Sequence, residues 1–158
     1  MGQNSQSISQ NRKARFHYEI VESFEAGLVL TGTEVKSIRQ GRINIMDAHA
    51  GEIATSPGEL YLFNLNVLPY SNSAPFGHEA KRPRKLLLKR RQIVRMVNNI
   101  RKKGMTIVPL SMYFNAKGRI KIELALAKGK TTVDKRQTIA ERDWQRQKAR
   151  VLKGHSND

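Results

Sequence analysis

The chain contains no cysteine, which rules out both a disulfide framework and a thiolate metal site. Acidic residues are scarce as well: 13 Asp and Glu stand against 29 Lys and Arg, for a formal charge of +16. A small fold with that charge repels itself, and a polyanion relieves the repulsion while shedding its own counterions. Nucleic acid is therefore the leading partner and an anionic membrane surface the runner-up. No stretch of about eighteen apolar residues occurs, and 1–10 is polar with no apolar run behind a basic start. Neither a membrane span nor a signal peptide is expected, and a soluble cytoplasmic protein follows. Aromatic residues make up only 6% of the chain, and most fall on inward faces of the predicted strands. Recognition of a folded RNA by shape and phosphate position fits this better than stacking of single-stranded bases.

A catalytic constellation is also missing. His17, His49, His78 and His155 show no HxxxH or HxH spacing, no GxxxxGK[ST] phosphate loop exists, and Ser37 and Ser111 have no nucleophile context. No enzyme, metal or cofactor is expected.

At 158 residues the default is one domain. Its organising stretch runs from Phe24 to Arg42. Glu25-Ala26-Gly27 reads as a turn and 28–31 as an apolar strand. Thr33 reads as the N-cap of a short helix that ends at Gly41, with Glu34 at the positive end of its dipole and Val35 and Ile38 on its apolar face. Upstream, Phe16, Tyr18 and Ile20 alternate, predicting a strand that makes a hairpin with 28–31. Residues 43–54 read as a strand ending at the turn signal Ser56-Pro57-Gly58. Next, Tyr61, Phe63, Leu65 and Val67 alternate with Leu62, Asn64 and Asn66 up to Pro69, and 71–81 reads as an exposed loop. From Leu86 the period becomes helical through Ile93, Val97 and Ile100 to a stop at Gly104, with a basic far face. A hairpin follows, 107–114 and 119–127 around Asn115-Ala116-Lys117-Gly118, with Ile120, Ile122, Leu124 and Leu126 facing in.

These elements predict a mainly β chain with helices (α+β). Residues 11–127 form a small antiparallel barrel of oligonucleotide-binding type with two packed helices. A half-open sheet covered by both helices is the rival. Residues 1–10 bury too little to become ordered. Residues 128–158 form a basic tail in which Ala140, Trp144 and Val151 make one thin apolar stripe, with Ile139 and Leu152 beside it. Such a stripe is too narrow to hold a free helix, so the tail is expected to be disordered alone and to fold against a polyanion with a groove for Trp144. The basic run Lys81-Arg82-Pro83-Arg84-Lys85, followed by Lys89-Arg90-Arg91 at the start of the longest helix, points to phosphate contacts.

Several motifs in order resemble the SsrA-binding protein family, SmpB. They are Glu25-Ala26-Gly27 with Thr31-Gly32-Thr33-Glu34-Val35-Lys36-Ser37-Ile38-Arg39, then Arg82-Pro83-Arg84-Lys85-Leu86-Leu87-Leu88, then Ala125-Leu126-Ala127-Lys128-Gly129-Lys130 with Asp134-Lys135-Arg136. The resemblance implies an oligonucleotide-binding-type barrel that binds the tRNA-like domain of transfer-messenger RNA and brings it to stalled ribosomes for trans-translation, without catalysis. It implies as partners that RNA, the small-subunit decoding region and messenger channel of the ribosome, and elongation factor Tu through the RNA complex, with no membrane. Its RNA-contacting surface maps onto Asn11, Glu25, Leu87 and Arg119, with Lys36, Arg84 and Lys85 as phosphate partners by charge. Arg12, Lys13, Arg15, Arg39, Arg82, Lys89 and Lys121 extend the same set. The ribosome-binding tail would use Lys128, Gly129, Lys130, Asp134, Lys135, Arg136, Trp144, Val151 and Leu152. Two positions depart from the family pattern: Lys89 replaces a common Asn or His, and Val133 replaces a common ring. The competing classes are a permanent ribosomal or ribosome-assembly protein and a nuclease or RNA-modifying enzyme whose site converges on folding.

Overall fold

A computed structural model describes residues 6–69, 78–130 and 132–154, the side chains at 103, 132–135, 138 and 154 excepted. Its centre is an antiparallel sheet whose pairings run β8–β4–β5–β7–β2–β9 and return to β8, so the sheet is closed rather than half-open. The strands are β1 (Gln6–Gln10), β2 (Tyr18–Leu28), β3 (Ile43–Asn44), β4 (His49–Ile53), β5 (Ser56–Phe63), β6 (Asn66–Val67), β7 (Arg84–Leu87), β8 (Thr106–Phe114) and β9 (Ile120–Gly129). The helices are α1 (Ala14–His17), α2 (Gly32–Arg39), α3 (Arg90–Lys103) and α4 (Thr132–Gly154). Inside the closed sheet, Leu60, Leu62, Ile107, Met112, Ile122 and Leu124 meet Ile38 of α2 and Met96 of α3. A second, smaller core lies outside, where Ala14 of α1 covers Val108, Leu110, Ala125 and Ala127. None of the described helices is long and apolar enough to cross a membrane.

The β8–β9 hairpin forms as the alternation predicts, with Gly118 at φ +76 in its turn and Ile122, Leu124 and Leu126 buried. Elsewhere the structure corrects the sequence reading in instructive ways. Glu25-Ala26-Gly27 is no turn: β2 runs straight through it, pairing Glu25 with Glu123, Ala26 with Ile122 and Gly27 with Lys121. The glycine serves close approach instead, since a Cβ there would sit 3.3 Å from the Cβ of Leu87. Phe16 lies in α1 and not on a strand with Tyr18 and Ile20. Thr31 caps α2 in place of Thr33: its hydroxyl accepts from the Glu34 amide while its own amide donates to the Glu34 carboxylate at 2.9 Å. Gly41, at φ +73, ends that helix as expected.

The strand expected over 43–54 is split into β3 and β4, because Asn44 takes the Met46 amide into a local turn. The chain reverses before Ser56, so Pro57 and Gly58 lie inside β5. The single alternation through 61–67 also breaks. Asn64 sits at φ +58 and reverses the facing, so that Leu60 and Leu62 point inward before it and Leu65 and Val67 after it. Leu86 and Leu87 belong to β7, and α3 starts only at Arg90, where the Lys89 amide donates to the Gln92 side chain. Order begins ahead of Asn11, since β1 pairs with the outer edge of β8. At the other boundary β9 continues through Lys128 and Gly129, and the Lys130 amide donates to the His17 carbonyl at 2.9 Å. Lys128, Gly129 and Lys130 therefore belong to the body and not to the tail. Residues 1–5 and 70–77, the latter within the loop read at 71–81, lie outside the described residues.

The phase switch at Asn64 predicts a pair of outcomes. Asn64→Val should cost about 1–2 kcal/mol for forcing a β-branched residue into the left-handed region, whereas Asn64→Gly should be tolerated. Urea denaturation of the two variants checks this.

Candidate nucleic-acid interface

The outer face where β2, β7 and β9 meet gathers the residues of mixed chemistry. Gly27 pairs with Leu87 on one side and with Lys121 on the other, and its missing side chain leaves a groove between them. Leu87 is 52% exposed there although its neighbour Leu86 is buried, as strand alternation requires. Gly27, Val35, Leu87, Arg119 and Lys121 line this groove of about 320 Å³, and a second cavity of about 420 Å³ adjoins it, sharing Arg119 and Lys121 and adding Glu25, Tyr113 and Lys117.

Glu25 and Glu123 are directly opposed across β2 and β9, a like-charge pair that destabilises unless it is compensated. Compensation comes from hydroxyls: Tyr113 donates to Glu25, and Ser111 donates to Glu123 at 3.2 Å. Burial and the Glu25 contact push the Tyr113 phenol well above its ordinary pKa, so it stays a donor.

Behind this face lies a buried ionic knot. The Glu34 carboxylate is fully buried at the start of α2 and takes hydrogen bonds from Arg82 at 2.5 Å and from the Arg84 Nε. Arg84 spends its other donors on the carbonyls of Leu65, Arg82, Glu79 and Ala80. Burial alone pushes the Glu34 pKa up, but the bonds from Arg82, the Thr31 amide and Arg84 together outweigh it and hold the carboxyl below its ordinary 4.5. Burial lowers the Arg84 pKa, with Glu34 opposing that shift.

The expected phosphate partners thus separate. Arg84 is corrected: it has no exposed surface and anchors β7 to α2. Arg82 is partly spent on the same carboxylate and on the Val29 carbonyl at 3.3 Å. Lys85 is half-exposed and ion-paired with Glu59 at 2.9 Å, which raises its pKa through that hydrogen bond. Lys36 and Arg39 are exposed on α2, whose Val35 lines the Leu87 groove. Lys89 is exposed at the N-terminus of α3.

A second group sits away from this groove. Asn11 is pinned by its amide to the Leu110 carbonyl and by its side chain to the Pro109 carbonyl at 3.1 Å. Arg12, Lys13 and Arg15 are exposed around α1, at the Tyr18 end of β2, together with exposed Lys128 and Gly129. The Lys130 ammonium donates to the Arg15 carbonyl at 2.9 Å. The α4 helix departs from the same place, with Arg142 5.6 Å from the centre of the Phe16 ring. Arg136 is exposed on α4, as are Trp144 at 66%, Val151 and Leu152. The side chains of Asp134, Lys135 and Val133 lie outside the described residues. Tyr18 and Gly27 are nine residues apart on β2, about 30 Å at strand rise, whereas Asn11 is bonded at the level of Pro109, which faces Leu124 and through it Phe24.

Comparison with known proteins decides the family. The model of the family described as SmpB protein matches residues 8–154. The chain belongs to the SmpB family. An SsrA-binding protein from Novosphingobium aromaticivorans is 55% identical over 148 residues, covering 94% of this chain and 91% of the relative. One from Caulobacter vibrioides is 51% identical over 154 residues, covering 98% and 99%. A solved structure described as "tmRNA-SmpB: a journey to the center of the bacterial ribosome" aligns with a TM-score of 0.64 at 43% identity, covering 78% of this chain and 85% of that one. SmpB is a family of RNA-binding adaptors, and the mainly antiparallel body with its helices agrees with that membership.

Sequence reasoning did not find Tyr113, Glu123 or Glu34 as members of this region. Tyr113 and Glu123 were hidden because their significance lies in strand register, which pairs Tyr113 with Lys121 and Ser111 with Glu123. Glu34 carried a signal, the capping position, but nothing local announces that two arginines fifty residues later close over it.

Breaking the knot has a defined outcome. Glu34→Gln should cost roughly 3–5 kcal/mol at neutral pH, because it leaves Arg84 buried without its counter-charge. Since the folded pKa of Glu34 is depressed, its contribution is complete above the ordinary value of 4.5 and is lost as pH falls through the folded value. The gap between wild type and variant in urea titrations should therefore narrow on acidification and not on going from pH 6 to pH 8.

Proposed function

We propose that the chain is a non-catalytic adaptor that binds the tRNA-like domain of transfer-messenger RNA and carries it to stalled ribosomes for trans-translation. The observation that carries this reading is the convergence of Glu25, Leu87, Arg119 and Lys121, drawn from β2, β7 and the β8–β9 hairpin, on adjoining grooves of one face in a member of the SmpB family. Those four residues divide the work. Arg119 and Lys121 supply affinity by displacing counterions from phosphates. Leu87 offers an apolar patch against which a nucleobase packs. Glu25, already holding the Tyr113 hydroxyl, has acceptor capacity left for a base or ribose donor and so fixes register. Exposed Lys36 follows Val35 of the groove lining and exposed Lys89 comes two residues after Leu87, and with Arg39 they add further positive charge.

The tail serves the ribosome. The α4 helix leaves Trp144, Val151 and Leu152 exposed among the described residues, which suits reception in the messenger channel of the small subunit near the decoding region. In this reading the free tail is disordered and becomes helical on the ribosome. Elongation factor Tu joins through the RNA complex, and the setting is the cytoplasm.

Two measurements test the division of labour. Glu25→Ala should weaken binding to the tRNA-like RNA by about tenfold, the scale of one hydrogen bond to a charged group, with much less effect on unrelated RNA; an equal loss on both removes Glu25 from readout. Truncation after Lys130, which spares the contact with His17, should leave RNA affinity within about threefold while abolishing tagging on stalled ribosomes in a reconstituted translation assay. Loss of most RNA affinity on truncation would overturn the separation of body and tail.

A further inference from the structure

The exposed face of α3 is accounted for by none of the residues assigned above. Between Glu79 and Glu123 the sequence contains no acidic residue, and α3 lies in the middle of that interval. Arg91, Arg95, Asn98 and Lys102 recur at i, i+4, i+7 and i+11, which places them in one row along the helix. All four are exposed. Arg90, Arg91, Val94, Arg95 and Asn98 border an open groove along that row.

The helix is fastened to the body by other groups. Met96 and Val97 are buried in the main core, Arg95 pairs with Glu22 at 2.8 Å and Arg101 with Glu52 at 2.6 Å. Among the described residues no carboxylate pairs with Arg90, Arg91 or Lys102. Three cations thus remain turned to solvent on a rigid, anchored helix, a placement that stability does not explain.

We propose that α3 is a second contact for RNA phosphate backbone, continuous with the Leu87 groove. Continuity follows from the chain: Lys89, Arg90 and Arg91 come two, three and four residues after Leu87, so the row starts within about 14 Å of the groove. From Arg91 to Lys102 it then extends some 16 Å at helical rise. Positive charge on Arg90, Arg91 and Lys102, with which no described carboxylate pairs, selects a polyanion. The apolar side of the helix decides which kind, because it is committed to the core and Val94 is the single large apolar residue exposed on its described outer surface. A helix that lies on a membrane needs that side free, so the occupant is RNA backbone and not a lipid surface. The contact is independent of base sequence, since arginine and lysine side chains on phosphates position the strand without reading it.

The proposal rests on the RNA-binding reading above, and its test is built to fail separately. The probes are the tRNA-like fragment of transfer-messenger RNA, an unrelated RNA hairpin, and phosphatidylglycerol vesicles. The protein is the full chain and its triple variant Arg90→Gln, Arg91→Gln, Lys102→Gln, with thermal melting as a check that the exposed changes leave the fold intact. The variant should bind both RNAs at least tenfold more weakly near 0.1 M salt, with the slope of log affinity against log salt reduced by about two to three. Its preference for the tRNA-like fragment over the hairpin should stay within twofold, in contrast to Glu25→Ala. An unchanged salt slope on both RNAs, or a loss seen on vesicles alone, overturns the α3 contact. If wild type shows no preference for the tRNA-like fragment, the functional reading fails, while the slope on the hairpin still decides the role of α3.

Discussion

One buried carboxylate holds the architecture together. Glu34 lies at the first turn of α2, where the helix dipole favours a negative charge, and it receives Arg82 and Arg84 from a segment that arrives fifty residues later. A carboxylate in such a place is costly unless both oxygens are hydrogen-bonded, and here the Thr31 amide and Arg82 bond one and Arg84 the other. Arg84 extends the constraint, because its remaining donors tie down the carbonyls of Leu65, Glu79 and Ala80 on either side of 70–77. Strand β7 is thereby fixed between β5 and β2, and Leu87 is delivered to the outer face opposite Gly27. A core of leucines and isoleucines would tolerate several positions for a four-residue strand. The ionic knot permits one.

Under the proposed function, the outer face is where a strongly basic protein discriminates among anions. Cations alone would grip any phosphate backbone, so selectivity has to come from groups of another kind. Glu25, braced by Tyr113 across from Glu123, puts an acceptor among the cations, and Leu87 adds an apolar surface. Both are costly for the isolated protein: a like-charge pair on adjacent strands and a half-exposed leucine contribute nothing to folding. Features that oppose stability and sit together on one surface are the ones whose explanation lies in a partner.

How much of this was legible in the sequence depended on the range of the interaction. Periodicity announced the β8–β9 hairpin, the apolar stripe of α3 and the cap of α2 to within two residues, since each is decided by neighbours in the chain. Glu25-Ala26-Gly27 misled for a physical reason: glycine there serves the approach of Leu87 from β7, and a turn and a close contact call for the same residue type. Asn64 misled because one left-handed residue reverses the facing of a strand while leaving its alternation intact to the eye. Arg84 was assigned to phosphate because charge in a basic run looks alike whether it is bound for solvent or for a buried partner. The long-range partner Glu34 was needed to tell them apart. Glu25, Leu87 and Arg119 were found only through family resemblance, and the structure brings them within adjoining grooves.

The bond from the Lys130 amide to the His17 carbonyl, together with β9 running out to Gly129, gives the terminal helix a fixed point of departure. A rod of 23 residues set on such a pivot has a length near 35 Å. In its helical form the tail therefore holds Val151 and Leu152 at a set distance from Lys130, and only a surface at about that distance can be touched by them. The protein is in this sense a gauge, and inserting or deleting a turn of the rod would recalibrate it without altering a single residue at either end.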